Sequence, residues 1–334
     1  MISIAFDVMG GDFAPSETLQ GAYLALKEMD IHLVLLGPEA IVRQELKKFP
    51  DFPLDRVTIQ DAPDVVGMSE SPAQAFRKKK NSSIQLGLNL VKEKSCQGFV
   101  SAGNTGAVMA CSVLTLGKIP GVERPAIATV LPSQKGPFVM LDMGSTVDCK
   151  PSHLAQFAVM GHYFAKLTLD IAEPRVALLN IGEERDKGNS ACLEAYELIE
   201  KEPIQFIGNI EGKEILFGKA DVIVCDGFVG NCLLKFGEGV SELFMQFFKN
   251  EAKISWVSAL GLLILKPGLK RFIKKFDYQE YGGAPLLGVN GVSIIAHGKS
   301  KKIAVKNAIL RCKQAIENQL VEKVTEALIP SCDQ

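Results

Sequence analysis

The chain has 334 residues, of which 47% are hydrophobic and 22% charged, the balance of a soluble globular protein with room for a large core. Its net charge of −1 leaves no global basic field, so nucleic acid is excluded as the main partner and any anion site must be local. None of the eight cysteines forms a C-x-x-C pair, and most lie in apolar runs, which reads as small buried hydrophobes in a reducing compartment rather than a zinc or disulfide framework.

In chain order, short runs rich in Val and Ile predict strands at "ISIAFDV", "HLVLLG", "RVTIQDA", "GFVSAG", "AIATVLP", "FVMLDMG", "VALLNIG", "IQFIGNI", "DVIVCDG" and "VSIIAHG". Runs that are apolar throughout suit strands buried on both faces of a largely parallel sheet. Between them, "PSETLQGAYLALKEM" and "PSHLAQFAVMGHYFAKL" carry apolar residues at helical spacing after Pro-Ser starts. The alternation predicts one α/β domain over 1–334, doubly wound and Rossmann-like. From Phe236 to Phe276 the strand pattern stops and a helical segment is expected within that domain. The sequence opens directly on a strand, with no leader pattern, and no apolar run reaches the ~18 residues of a membrane span, so a cytoplasmic location is expected.

The strand ends carry the chemistry. "DVMGGD", "SAGNTGA", "LDMGST", "NIGEERDKGN", "CDGFVGN" and "AHGKS" all put Gly, Asn or Asp just after a strand. In open α/β sheets, ligands bind beyond the carboxyl ends of strands. Glycine-rich turns let an anion approach backbone N–H groups. Gly10, Gly11, Asp12, Gly103, Asn104, Thr105, Gly106, Asp142, Gly188, Asn189, Asp226 and Gly227 are therefore expected to bind phosphate or substrate. Lys187, Asn231 and His297 are candidate catalytic groups. His297 ends a strand at an expected sheet edge, whereas His153 and His162 lie on an amphipathic helix and read as structural. Asp7, Asp12, Asp142 and Asp226 suit either a metal or the fixing of loops by accepting backbone N–H bonds. "RKKKNSS" reads as a solvated basic face that also suits contact with an anionic partner. No P-loop, G-x-G-x-x-G fingerprint, G-x-S-x-G elbow or Cys/His pairing is present, so no nucleotide cofactor and no covalent nucleophile are indicated.

Taken together and in this order, "DVMGGDFAP", "SAGNTGA", "LDMG…VDCKP", "NIGEERDKGN", "CDGFVGN" and "YGGAPLLGVNG…AHG" resemble the phosphate acyltransferases of bacterial phospholipid synthesis, the PlsX family. The resemblance runs from residue 3 to about residue 310. It departs at Gly144-Ser145-Thr146, where the family reads Gly-Ala-Asn, and at Val8, where it reads Ala. It implies a fold like that of isocitrate and isopropylmalate dehydrogenases. It also implies transfer of a long fatty acyl group from acyl carrier protein to inorganic phosphate, giving acyl phosphate without metal or cofactor. A homodimer with peripheral membrane contact is implied as well. Residues 249–275 suit an anionic membrane surface: an apolar stretch runs from Trp256 to Leu265, with Lys249, Lys253, Lys266, Lys270, Arg271, Lys274 and Lys275 around it. The alternatives are a short-chain phosphotransacetylase using coenzyme A, a nicotinamide-dependent dehydrogenase of the same fold class, and a non-enzymatic scaffold.

Overall fold

The computed structural model describes residues 1–254, 258, 260–268 and 282–328. Two sheets form the frame. The first runs, in spatial order, β3 (Val57–Asp61), β2 (Ile31–Gly37), β1 (Ile2–Asp7), β4 (Gly98–Ser101), β12 (Val292–Ile295), β11 (Ala284–Leu287) and β5 (Ala126–Ile127). Its first five strands are parallel, and β11 is antiparallel to both neighbours. The second runs β6 (Thr129–Pro132), β7 (Pro137–Leu141), β10 (Val222–Val224), β8 (Arg175–Asn180) and β9 (Gln205–Glu211), parallel except for the β6–β7 hairpin.

The apolar runs behave as their composition requires. Every residue of β4, β10 and β12 is buried, because helices cover both faces. "AIATVLP" differs from the single strand expected: Ala128 separates β5 from β6, and the two halves pair in different sheets. The chain thus passes from one sheet to the other across a single residue.

Helices α1 (Ser16–Glu28) and α9 (Lys302–Glu317) pack on one another beside the first sheet, and α6 (Pro151–Thr168) packs on the second. Gly21 makes the α1–α9 approach: a Cβ there would stand 2.5 Å from the Val305 side chain. Phe6, Phe99, Phe138, Phe157 and Phe164 are among the largest fully buried side chains. Truncating any one to alanine costs about 3–5 kcal/mol.

The expected helical segment starts earlier than Phe236. Helix α8 spans Gly227–Ile254, and helix returns at 258 and 260–268. Its start is fixed by Asp226, whose Oδ1 accepts from Val229 N at 2.8 Å. Trp256, Val257, Lys270, Arg271, Lys274 and Lys275 lie outside the described residues. No helix among the described residues is long and apolar enough to cross a membrane.

Candidate active site

At the carboxyl end of the first sheet, three loops meet. Asp7 ends β1 fully buried; it accepts from Met9 N at 3.0 Å and from the Ser101 hydroxyl at 2.7 Å. Ser101 in turn accepts from Gly103 N at 2.9 Å. Burial holds the Asp7 carboxyl above the usual carboxylate range, although each of these hydrogen bonds pulls it down. The loops touch so closely that a Cβ on Gly10 would stand 2.6 Å from Gly103 N, which no side chain permits. Gly11 turns the chain so that Asp12 N donates to Gly298 O at 2.8 Å. Gly10, Gly11, Asp12, Gly103 and Gly298 thus form one cluster. Thr105 and Gly106 follow as the first turn of α5 (Thr105–Leu116).

Asn104 is spent on structure. Its Oδ1 accepts from Ala107 N at 3.0 Å, capping α5, and its Nδ2 donates to the carbonyls of Met68 and Glu70 at 2.9 and 2.8 Å. The side chain closes the 67–70 turn over the glycine cluster.

At the second sheet, Asp142 is the buried anchor. Its Oδ1 accepts from Ile127, Gly144 and Ser145 N, and its Oδ2 from Thr146 N at 2.6 Å. Burial still holds its pKa up. Gly227 N donates to Thr146 O at 2.8 Å, joining this loop to the start of α8. Gly230 lets α8 approach it: a Cβ there would stand 2.0 Å from Asp142 O. At the next residue, the Asn231 amide faces Gly144, with Nδ2 3.7 Å from where a Cβ on Gly144 would be.

Lys187, Gly188 and Asn189 occupy the neighbouring loop after β8. Asn189 Oδ1 accepts from Cys192 N at 2.9 Å, capping α7 (Ser190–Ile199). Asn180 Nδ2 donates to Lys187 O at 2.9 Å, fixing the loop's backbone. The Lys187 ammonium and the Asn231 amide have no hydrogen-bond or ion-pair partner among the described residues.

The two clusters are joined by α8. From Gly227 it crosses to the first sheet, where Glu238 Oε1 lies 3.4 Å from His297 Nε2. His297 Nδ1 accepts from Lys299 N at 3.1 Å, which places the ring proton on Nε2, toward Glu238. His297 stands just beyond the end of β12, as its strand-end position implies. It is not at a sheet edge, because β12 lies between β4 and β11.

A cavity of about 640 Å³ adjoins the second cluster, lined by α5, Lys118, residues 123–125, Ser145, Thr146, Lys150 and His153. Pattern reading missed it. Its cationic residues Lys118, Arg124 and Lys150 sit in no strand-end glycine loop, and His153 read as structural. His153 is 5% exposed: Nδ1 accepts from Lys150 N at 3.1 Å and Nε2 donates to Glu123 at 3.1 Å. Burial lowers its pKa, so the ring is neutral at pH 7.

The thiols nearby are poor nucleophiles. Burial, then Asp142, pushes Cys149 up to about 12, and burial raises Cys225 well above the ordinary thiol range. Among the described residues, no three His, Cys, Asp or Glu side chains are grouped to hold a metal ion. The arrangement offers amides, cations and helix starts around an open space, which suits holding an anion against an electrophile.

This fold, with strand-end loops gathered between two sheets, is the Rossmann-like α/β fold of the phosphotransacylases. A crystal structure of a phosphotransacetylase from Streptococcus pyogenes superposes with a TM-score of 0.63 at 20% identity, covering 95% of this chain and 94% of that one. The sequence matches the fatty acid synthesis protein family over residues 2–323, and the chain belongs to that family. It is 49% identical over 327 residues to the phosphate acyltransferase of Pelotomaculum thermopropionicum, covering 98% of this chain and 95% of the relative. It is 50% identical over 323 residues to that of Heliobacterium modesticaldum, covering 97% and 96%. The protein is an acyltransferase of the phosphate acyltransferase class.

Proposed function

We propose that the protein transfers a long-chain fatty acyl group from acyl carrier protein to inorganic phosphate, supplying acyl phosphate for phosphatidic acid synthesis. The observation that carries this reading is the unpaired Lys187 ammonium and Asn231 amide beside the loops fixed by Asp142 and Asp226, within a phosphate acyltransferase chain. A phosphate oxygen attacks the thioester carbonyl carbon, the oxyanion of the tetrahedral intermediate is met by preset donors, and the C–S bond breaks. The thiolate then leaves and takes a proton. Since phosphate is the nucleophile, the neutral thiols at the site are consistent with the chemistry. Orienting the two reactants contributes about 7–11 kcal/mol.

The protein acts as a homodimer in contact with anionic membrane through residues 249–275. Support comes from the apolar stripe of α8, where Phe236, Leu243, Phe244 and Phe247 are exposed, and from Leu263, Ile264 and Leu265 beyond it. So many exposed apolar side chains need a partner.

The test is to incubate the protein with palmitoyl-carrier protein and phosphate and trap acyl phosphate with hydroxylamine as the hydroxamate. Phosphate-dependent hydroxamate is the expected result. Hydroxamate from acetyl-coenzyme A but not from the carrier thioester identifies a short-chain phosphotransacetylase instead, and none from either donor overturns the reading.

A further inference from the structure

The cavity beside the second cluster has two unlike walls. On one side, Met109, Val113 and Leu114 of α5 present an apolar stripe at helical spacing, and Leu114 is 60% exposed. On the other stand Arg124, Lys150 and Thr146, with Lys118, whose ammonium donates to Glu123 O at 2.9 Å, and the Glu123 carboxylate at the rim. Neither the Arg124 guanidinium nor the Lys150 ammonium has an ion-pair partner among the described residues. Thr146 is 7% exposed and lines the cavity, yet its hydroxyl makes no hydrogen bond among the described residues. Lys150 is also the N-cap of α6, an 18-residue helix whose positive end opens on the same space. The buried His153, paired with the exposed Glu123, holds the rim together: it fixes the Lys150 backbone from one nitrogen and the 123–125 turn from the other. The Asp142 nest sets Thr146 in place.

An anion seat and an apolar wall in one space describe a ligand with a phosphate head and a hydrocarbon tail. The volume of about 640 Å³ falls within the ~300–1,000 Å³ of ligand pockets. Ser145 and Thr146 follow Gly144 directly, so the seat adjoins the Asn231 amide. We propose that this cavity is where acyl phosphate forms: Arg124, Lys150 and Thr146 bind the phosphate, and the α5 wall formed by Met109, Val113 and Leu114 takes the acyl chain. Asn231 is then left to face the thioester oxygen. The assignment rests on the acyl-transfer reading above. It makes Arg124 a catalytic residue, touching the nucleophile, and Val113 a determinant of chain length.

The wild-type hydroxylamine assay tests the reaction itself; variants of the full chain test this assignment. Arg124 and Val113 are at least partly exposed, so their substitution leaves the core in place. Arg124→Met is expected to raise KM for inorganic phosphate at least tenfold, with partial rescue in Arg124→Lys. Isothermal titration with inorganic phosphate alone should show the same weakening. Val113→Trp narrows the wall, and the ratio of kcat/KM for palmitoyl- over butyryl-carrier protein should fall at least tenfold. A phosphate KM unchanged in Arg124→Met overturns the assignment. So does a rise confined to the carrier thioester, which would put the rim on the donor's prosthetic arm. An unchanged chain-length ratio in Val113→Trp removes α5 as the acyl wall.

Discussion

Asn104 and Lys187 stand in the same kind of strand-end loop and differ in what is left of their hydrogen-bonding capacity. Asn104 caps α5 and holds the 67–70 turn, so Asn104→Ala removes a cap, which costs about 1 kcal/mol, and releases the part-buried bonds to the Met68 and Glu70 carbonyls. The expected outcome is a lower denaturant midpoint, a loss of about 2 kcal/mol in all. Lys187 has no such ties, and Lys187→Ala should leave unfolding unchanged while lowering kcat/KM for phosphate at least ~100-fold, the scale of one charged donor lost. Near-normal kinetics in the folded variant would remove Lys187 from the site. Asp142 adds a pH dependence. Its folded pKa is raised by burial, so its contribution to stability is full below the usual carboxylate range and declines as pH rises through the folded value. Asp142→Asn keeps one acceptor oxygen for Ile127, Gly144 and Ser145 N but sets an amide NH2 against Thr146 N, so it is the less stable protein. The gap to wild type should narrow as pH is raised from 4 to 7; a gap that widens would mean that hydrogen bonding, not burial, sets this carboxyl. In the sequence these residues were visible as Gly-Asn-Asp loops. Which of their polar atoms are already used was not, because cap and nest bonds depend on which backbone N–H groups the fold turns inward.

At the scale of elements, the strands were legible because a strand covered on both faces is mostly apolar, and β4, β10 and β12, buried throughout, carry only Ser101 and Ser293 as polar side chains. The division into two sheets was not. Ala126–Ile127 and Thr129–Pro132 share one apolar run, and only their pairing with β11 and β7 separates them. The cavity was hidden for a related reason: Arg124 and Lys150 are distant in the chain and meet through a buried histidine that helical periodicity assigns to the core. Helix α8 shows a further limit of local pattern, for its contact with His297 joins elements far apart in the chain. If Glu238 on α8 steadies His297 at the end of β12, the two residues act as a unit. His297→Ala and Glu238→Ala should each lower kcat/KM, and the double variant should cost less than the two single losses multiplied together. The non-additivity expected of contacting residues is about 0.5–3 kcal/mol. Strictly multiplicative losses would make the contact incidental. His297→Gln keeps a donor and should retain more activity than His297→Ala across pH 6–8; equal and full activity in both would make the histidine structural.

At the scale of the molecule, exposed large apolar side chains gather among the described residues on α8 and again within 260–268. Leu263, Ile264 and Leu265 are 61%, 72% and 64% exposed, and Lys266 follows them. Burying such side chains gains about 1.5–3 kcal/mol each relative to leaving them in water, so an unpartnered surface of this kind is costly. A subunit contact accounts for the apolar groups but not for the basic residues that the sequence sets around them. An acidic carrier protein accounts for the charge but not for so much hydrocarbon. An anionic bilayer accounts for both, each nearby basic residue contributing about 1 kcal/mol. Contact through these residues would also release a greasy product next to lipid rather than into water. The expected outcome is reversible binding to anionic liposomes, weakened by added salt as surface charge is screened. Leu263→Glu should weaken it further, through lost burial and charge repulsion, while light scattering still reports a dimer and acyl transfer to phosphate continues. Flotation and light scattering on the same preparation separate the alternatives. If Leu263→Glu still floats with vesicles but falls to a monomer, the 260–268 helix is a subunit interface, and membrane contact must be sought elsewhere on the surface.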